Sequence, residues 1–494
     1  MFRLAQLLEK IDYEVVKGSL NTVVTDVAID SRKVVPGSLF ICISGYSVDG
    51  HSFAKEVVEK GASVLVIEKD IDLKAVDSVS AVDTTVIKVK DTRYAMAFIS
   101  AGFFGNPADK LKVIGITGTK GKTTTTYIIK SILENAGYKV GLVGTIETII
   151  GDKHIPAKNT TPESFMLQSY FKEMLDAGIE IVVMEVASQG LKLHRTQGFT
   201  FELGIFTNLE PDHIGPNEHA TFEEYIECKS RLFRQCRLGI VNADDNSLLK
   251  IIKNHTCELE TYGFNPEADI HAENVKLIHK PGALGVAFDV KGDLNLSVEM
   301  PSPGKFSVYN ALTALAVCRH FNVSEENIKK ALSEVRVKGR IEMVNTPYPF
   351  TLIIDYAHNA MSLKSILTTL REYEPNRLIC LFGCGGNRAK DRRFGMGEVS
   401  GEYADLSIIT SDNPRDEDPK AIIEDIKVGI NKTAGKYVEI VDRKDAIRYA
   451  INNGQKNDII VLAGKGHEDY QEIRGVRYPM DERVLIKEIL EELK

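Results

Sequence analysis

The chain alternates apolar runs with polar, Gly-bearing turns, and the character of the runs changes twice along its length. In residues 1–90 the runs are short, such as LFICIS at 39–44 and ASVLVIEK at 62–69, and predict a small α/β domain. From 91 to 337 the order becomes strand, loop, helix. LKVIGITG at 111–118 leads into KTTTTYIIKSILENAG at 122–137, where Ile128, Ile129, Ile132 and Leu133 recur at helical spacing and Gly137 suits the helix end. IEIVVMEVAS at 179–188 and LGIFTNL at 203–209 are nearly continuous rather than alternating, as strands covered on both faces are. From 338 to 494, TLIIDYAH, NRLICLFG, LSIITSDNPR and DIIVLAGKGH alternate with helical segments, and each ends in polar residues. That pattern predicts a doubly wound sheet whose ligands gather at the carboxyl ends of the strands. The 494 residues therefore divide into three α/β domains, 1–90, 91–337 and 338–494.

Composition narrows the partners. Charged residues at 26% and hydrophobic residues at 43% are ordinary for a globular protein, and a formal charge of -8 offers no general attraction to nucleic acid or an anionic membrane. An acidic ligand must meet local positive charge instead. No apolar run approaches the ~18 residues of a membrane span. The N-terminal MFRLAQLLEKIDYEV carries charges inside its apolar run, unlike a signal peptide. Seven cysteines, at 42, 228, 236, 257, 318, 380 and 384, form no CxxC pair and have no histidine at zinc spacing. They read as reduced and mostly structural, which points to the cytoplasm. Nothing in the pattern calls for an oligomer.

The sharpest motif lies between a predicted strand and a predicted helix: Thr117-Gly118-Thr119-Lys120-Gly121-Lys122-Thr123-Thr124. The glycines let backbone N–H groups approach phosphates, Lys122 brings charge to the β/γ oxygens, and the Thr123 hydroxyl can hold Mg²⁺. The first glycine of the usual G-x-x-x-x-G-K-[ST] pattern is Ile116 here. ATP binding alone leaves motor, kinase and ligase open. Glu185 ends one buried run and His213 follows the next, so both can reach the edge where the phosphate loop sits. Lys229 lies in TFEEYIECKSRLF, which opens with a Thr221 to Glu224 capping box and places Phe222, Ile226, Lys229 and Phe233 on one face. Burial there would leave a neutral amine able to take up CO₂. On the stripe alone, a lysine snorkelling its ammonium to water is the better reading.

TGTKGKTT, MEVASQGL, TNLEPDH, the lysine of YIECKSRLF, GKFSVYNAL, GRIE and DYAHN follow one another in an order that resembles the Mur ligases, over nearly the whole chain. DNPR at 412–415 and GKGHEDY at 464–470 resemble the branch that adds the third peptide residue. The resemblance implies an N-terminal UDP-binding domain, a central P-loop ATPase and a Rossmann-like C-terminal domain. It also implies ATP- and Mg²⁺-dependent, ADP-forming addition of meso-2,6-diaminopimelate to UDP-N-acetylmuramoyl-L-alanyl-D-glutamate. By the resemblance Lys229 is carbamylated and, with Thr123, Glu185 and His213, holds magnesium, which reverses the snorkelling reading; Lys122, Lys229 and His213 are then the catalytic set. Gly118 to Thr124, Asn310, Arg340, Asp355 and His358 match ATP contacts. Ser31, Arg32, Gly45, His51, Asn159, Thr160, Thr161, Ser188 and Arg195 match contacts to the UDP-muramoyl peptide.

The amino-acid pocket has a physical argument of its own. Arg388 and Arg415 can pair bidentately with carboxylates, while Asp412, Asn413 and Glu468, near Gly464, can receive an ammonium. Some positions depart from the family pattern. Ala187-Ser188-Gln189 stands for the usual SSH, Asp212 to His219 is two residues longer than the usual DHLDYHG type, and Ala360 replaces a proline. Two other readings stay open: a paralogue adding lysine or another amino acid to this or another acid, and a nucleotide-binding protein without catalysis. DNPR speaks against the first, and the presence of Lys122, Thr123, Glu185, His213 and Lys229 against the second. The acyl phosphate expected in such chemistry must be kept from water, so closure about hinges near 90 and 337 is expected.

Overall fold

The continuous apolar runs become parallel strands. The computed structural model describes residues 1–45, 48–79, 83–215, 218–280 and 282–493. Tyr46 and Ser47 of the GYSVDGH loop, and Pro216 and Asn217 of the lengthened loop, lie outside the described residues. Packing divides the chain into two units, Met1–Asp269 with Thr313–Val323, and Ile270–Leu312 with Ser324–Lys494.

Besides a short pairing of Phe2–Arg3 with Val23–Val24, the first unit holds two larger sheets. Strands β1 (Glu14–Lys17), β2 (Asp26–Ala28), β3 (Ser38–Ile41), β4 (Val64–Ile67) and β5 (Thr85–Lys88) lie in the order β1-β5-β4-β3-β2, with only β1 antiparallel. The run LFICIS supplies β3 and ASVLVIEK supplies β4, and both strands are buried throughout because apolar clusters cover both faces. The second sheet contains β6 (Lys112–Thr117), β7 (Val140–Val143), β8 (Glu147–Ile150), β9 (Lys153–Pro156), β10 (Ile181–Glu185), β11 (Phe201–Phe206), β12 (Cys236–Asn242) and β13 (Glu258–Gly263). Their order is β9-β8-β7-β10-β6-β11-β12-β13, parallel apart from the β7-β8-β9 meander. Because β10 and β11 flank β6, the segments after all three open on one edge. That is where α1 (Lys122–Asn135), α2 (Ser188–Lys192) and α3 (Phe222–Ser230) carry the chemistry. Helix α1 ends as expected, with Gly137 left-handed at φ 93 just beyond the cap.

The second unit contains an antiparallel ladder of β14 (Ile270–Lys280), β15 (Ala283–Gly292) and β16 (Leu296–Met300). It also contains a mostly parallel sheet of β17 (Glu342–Val344), β18 (Thr351–Asp355), β19 (Leu378–Phe382), β20 (Leu406–Ile409), β21 (Tyr437–Glu439) and β22 (Ile459–Ala463), in the order β17-β18-β22-β19-β20-β21. The four apolar runs read from the sequence are β18, β19, β20 and β22. Alternate residues serve opposite cores: Ile353, Cys380, Phe382 and Val461 face one cluster, Leu352, Ile354, Leu381 and Leu462 the other. Each fully buried aliphatic side chain contributes ~1.5–3 kcal/mol, which favours continuous over alternating runs. No helix among the described residues is long and apolar enough to cross a membrane.

Candidate active site

The phosphate loop joins β6 to α1. Gly118 has φ 148, and a Cβ there would lie 1.9 Å from Thr207 Oγ1, so the loop packs directly on the chain leaving β11. Gly121, at φ 85, is the N-cap of α1 and offers no side-chain cap, which leaves first-turn N–H groups for an anion. Asn208 fixes the loop from outside: its Oδ1 accepts from Lys120 N at 2.9 Å and its Nδ2 donates to Lys120 O at 3.1 Å. Lys122 Nζ donates back to Gly118 O and Thr119 O at 2.9 and 3.1 Å, so the ammonium hangs over the cradle. Lys120 turns away into an ion pair with Glu210 at 2.7 Å. Thr124 lies in the first turn of α1.

Glu185 is the hub of this edge. It is buried, and its carboxylate accepts from Thr123 Oγ1 at 3.0 Å, Thr145 N at 2.8 Å and Thr145 Oγ1 at 3.0 Å. All three donors are neutral, and among the described residues no cation pairs with it. A buried carboxylate is stable when a positive charge completes its surroundings, so this donor set fits a divalent cation at the phosphates. From Thr145 the network passes to Thr160, hydroxyl to hydroxyl at 3.0 Å. Thr161 donates to Glu185 O at 2.9 Å, and Arg195 donates to Thr161 O at 2.9 Å and Glu163 at 2.7 Å. Phosphate-loop residues and residues matched to the muramoyl peptide thus form one hydrogen-bonded set. Asn159 stands exposed beside it.

Lys229 does not snorkel. Its side chain is 1% exposed, its Nζ donates to Gly118 O at 2.8 Å, and it lies 4.5 Å from the centroid of the Tyr225 ring. Helix α3 stops at Ser230 and a 3₁₀ turn follows, so the apolar face that starts at Phe222 closes over the amine before it can reach water. Burial, with the neighbouring Lys122 charge, holds the amine well below the usual lysine range. The expected capping box is half realised: Thr221 accepts from Glu224 N at 3.1 Å, but the Glu224 carboxylate reaches Ala220 N instead of the cap residue's own N–H.

His213 makes no hydrogen bond or ion pair to Glu185. Its side chain is half exposed at φ 55, with Nδ1 3.3 Å from Glu218 and Nε2 3.8 Å from Asp212. The lengthened loop buries a different imidazole. His219 is fully covered, its Nε2 is 2.9 Å from Ser188 Oγ, and its Nδ1 has no partner.

The N-terminal residues cluster by loop. Arg32 is exposed and makes a fork with Asp30 at 2.9 and 2.8 Å, while Ser31 O accepts from Lys60 Nζ. His51 Nε2 accepts from Glu68 N at 3.1 Å, so its proton sits on Nδ1 and is donated to Asp49 at 2.6 Å. Gly45 N donates to Val48 O.

In the second unit the strand ends enclose a cavity of about 130 Å³. Arg388, Asp412, Asn413, Arg415, Gly464 and Glu468 all line it, together with Tyr356 and His358. Gly464 is left-handed at φ 110, and a Cβ there would meet Asp412 Oδ2 at 2.8 Å. Arg415, at φ 53, donates through Nη1 to Gly386 O at 2.7 Å. Asp355 accepts from Ile341 N and Ala357 N, both at 2.8 Å, and the Arg340 guanidinium lies 4.8 Å from the Tyr356 ring. His358 Nδ1 donates to Tyr356 O, and Asn310 is buried in the helix Lys305–Cys318.

Family models described as the Mur ligase family catalytic domain, the Mur ligase middle domain and the Mur ligase glutamate ligase domain match residues 23–104, 116–318 and 339–466. The chain is 45% identical over 492 residues, 99% of both chains, to the UDP-N-acetylmuramoyl-L-alanyl-D-glutamate--2,6-diaminopimelate ligase of Caldanaerobacter subterraneus subsp. tengcongensis. The chain belongs to the Mur ligase family. A solved Mur ligase of the same name covers 100% of this chain and 99% of its own, at 28% identity and TM-score 0.71. MurF ligase from Thermotoga maritima, solved in complex with ADP, shares the fold at 18% identity and TM-score 0.61, over 96% of this chain and 99% of its own.

Several residues of this Mur ligase's site escape sequence reasoning. Thr145 supplies two of the three donors to Glu185, yet it follows an unremarkable strand. His219 and Lys465 are buried polar groups whose partners lie 31 and 52 residues away in the chain. The lengthened loop and the GKGH run were the signals for them, and neither says what the side chain meets.

Proposed function

We propose that the protein is an ATP-dependent, ADP-forming ligase that joins meso-2,6-diaminopimelate to UDP-N-acetylmuramoyl-L-alanyl-D-glutamate in cytoplasmic peptidoglycan precursor synthesis. It acts as a monomer on small molecules, with no nucleic-acid or membrane partner. The observation that carries this reading is the hydrogen-bonded path from Thr123 through Glu185 and Thr145 to Thr160. It ties the phosphate loop to residues matched to the acceptor peptide, where a carboxylate and a γ-phosphoryl group must meet. The names of the relatives support the same acceptor and amino acid.

The free D-glutamyl carboxylate is too poor an electrophile for an amine. The N–H groups at the start of α1 and the Lys122 ammonium hold the triphosphate and stabilise charge as the γ-phosphoryl group passes to that carboxylate, giving ADP and an acyl phosphate. Arg195, beside Thr161, orients the acceptor. The diaminopimelate amine then attacks the acyl carbon, loses a proton, and inorganic phosphate leaves as the peptide bond forms. Mg²⁺ bound with ATP would supply positive charge to the phosphoryl oxygens; Thr123, Glu185 and carbamylated Lys229 are the groups that would hold it, and His213 would join them by turning from Asp212 and Glu218. The neutral Lys229 amine adds CO₂ and releases a proton to become that carbamate.

Residues 1–90 bind the UDP moiety, 91–337 bind ATP with Asn310 as a contact, and 338–494 bind the amino acid, with Arg340, Asp355 and His358 also contacting ATP. In the 130 Å³ cavity, Arg388 and Arg415 take carboxylates while Asp412, Asn413 and Glu468 take an ammonium.

The test incubates the protein with Mg-ATP, UDP-muramoyl-dipeptide and a panel of amino acids, reading ADP release and product mass. Diaminopimelate-dependent ADP release and the tripeptide mass are expected. Turnover with lysine but not diaminopimelate overturns the amino-acid assignment. No turnover with any UDP-muramoyl acceptor, in protein that binds nucleotide, overturns the function.

A further inference from the structure

Inside the amino-acid cavity, two carboxylates, Asp412 and Glu468, stand among three guanidiniums, those of Arg388, Arg392 and Arg415. Behind them lies a fourth cation that touches no solvent. The Lys465 side chain is 0% exposed; its Nζ donates to Glu468 Oε2 at 2.8 Å and to Asn413 Oδ1 at 2.9 Å, and lies 4.0 Å from Asp412 Oδ1. Its ammonium also lies 5.2 Å from the centroid of the Tyr470 ring. A buried lysine costs desolvation energy unless its charge is compensated, and here two hydrogen bonds, the nearby Asp412 carboxylate and the Tyr470 ring supply that compensation.

The contacts set two further groups. Asn413 Oδ1 also accepts from Glu472 N at 2.9 Å, so the amide oxygen faces two donors and its amino group must turn to Glu468 Oε2, at 2.9 Å. Glu468 Oε2 therefore receives both Lys465 and Asn413. Its other oxygen accepts no hydrogen bond among the described residues and is left for a ligand. The three guanidiniums face three carboxylates, Asp412, Glu468 and Glu472, the last lying 3.5 Å from Arg415 Nε, so the buried Lys465 charge tips the balance to positive. A ligand with two carboxylates matches that sign; one with a single carboxylate and an extra ammonium does not.

We propose that Lys465 is a specificity-determining positioning residue, which orients Glu468 and Asn413 and makes the cavity discriminate a dicarboxylic diamino acid from a monocarboxylic one. This rests on the reading of the cavity as the amino-acid site. Lys465 itself does not line the cavity and acts through the groups that do.

The test compares wild type, Lys465→Met and Lys465→Arg, measuring kcat/KM for meso-diaminopimelate and for lysine at saturating Mg-ATP and UDP-muramoyl-dipeptide, with KM for ATP alongside. Losing a buried charged hydrogen bond should lower the diaminopimelate value by about 10- to 100-fold in Lys465→Met. The lysine value should fall far less, so the ratio of the two drops by about tenfold or more, while KM for ATP changes less than about twofold. Lys465→Arg, which keeps the charge, should keep the ratio within about threefold. Parallel losses for both amino acids, or a ratio unchanged in Lys465→Met, overturn the proposal and leave the function intact. Wild-type protein inactive with both amino acids overturns the proposal and the function together. Should Lys465→Met not fold, the double variant Lys465→Met/Glu468→Gln, compared with Glu468→Gln alone, removes charge from both sides. The ratio should then change by less than about twofold between the two, because the charged partner of Lys465 is gone while Asn413 Oδ1 is still held by Glu472 N, and a larger change overturns the proposal.

Discussion

At the scale of single residues, the site is built from ionisable groups drawn out of water. His467 shows the energetic consequence. Its Nδ1 is buried without a partner, its ring lies 4.8 Å from that of Tyr356, and burial, then the charges of Arg340, Lys338 and Arg483, lower its pKa from 6.5 to about 4. Between those values the unfolded chain binds a proton that the folded chain refuses, so stability rises with pH through this window. The contribution is complete above about pH 6.5 and is lost progressively as the pH falls towards 4, by at most about 3 kcal/mol. Urea unfolding at pH 7.5, 6 and 5 should show a smaller loss on acidification for His467→Asn than for wild type; equal losses would refute the assignment. Of these groups, Lys229 was half legible in the sequence. The stripe of Phe222, Ile226 and Lys229 is plain, but a stripe does not say whether a long side chain reaches water, and only the family resemblance reversed the snorkelling reading. The Glu185 hub was legible at Thr123 and Glu185 and not at Thr145, because the latter arrives from the turn after a neighbouring strand.

At the scale of elements, capping and strand order do the placing. Thr221 starts α3, the helix that carries Lys229, and its hydroxyl accepts from Glu224 N. Thr221→Ala should cost about 1 kcal/mol, seen as a lower urea midpoint for the first unit, with Thr221→Ser restoring most of it. The buried parallel strands were readable because clusters on both faces force unbroken apolar runs, as in β10 and β19. The β14-β15-β16 ladder was not read, since its long strands mix exposed and buried positions, although Pro281-Gly282 stands between the first two in the sequence as a turn signal. The loop between β11 and α3 was flagged as a departure, yet its length could not reveal that His219, rather than His213, is the imidazole it buries.

At the scale of the whole molecule, the candidate chemistry is distributed over two units, with the phosphate loop in one and the 130 Å³ cavity in the other. The phosphate loop and the cavity should therefore each respond to its own ligand. In hydrogen exchange, ADP alone should slow the amides of residues 117–124, and diaminopimelate alone those around 383–388, 411–415 and 464–468. Slowing of 117–124 by diaminopimelate alone, without nucleotide, would contradict this independence. The extents of these units were not legible in composition, because residues 270–312 join the later part of the chain through packing that no local pattern encodes.

The depth of Lys229 has a consequence in time. A gas molecule can reach an amine sealed beneath α3 and the phosphate loop only when that cover opens. Under the carbamylation proposed for Lys229, the modification state would then reflect how often the cover has opened since the surrounding bicarbonate last changed, and not the bicarbonate of the moment. Two samples of identical sequence and composition can thus differ in activity by their history alone.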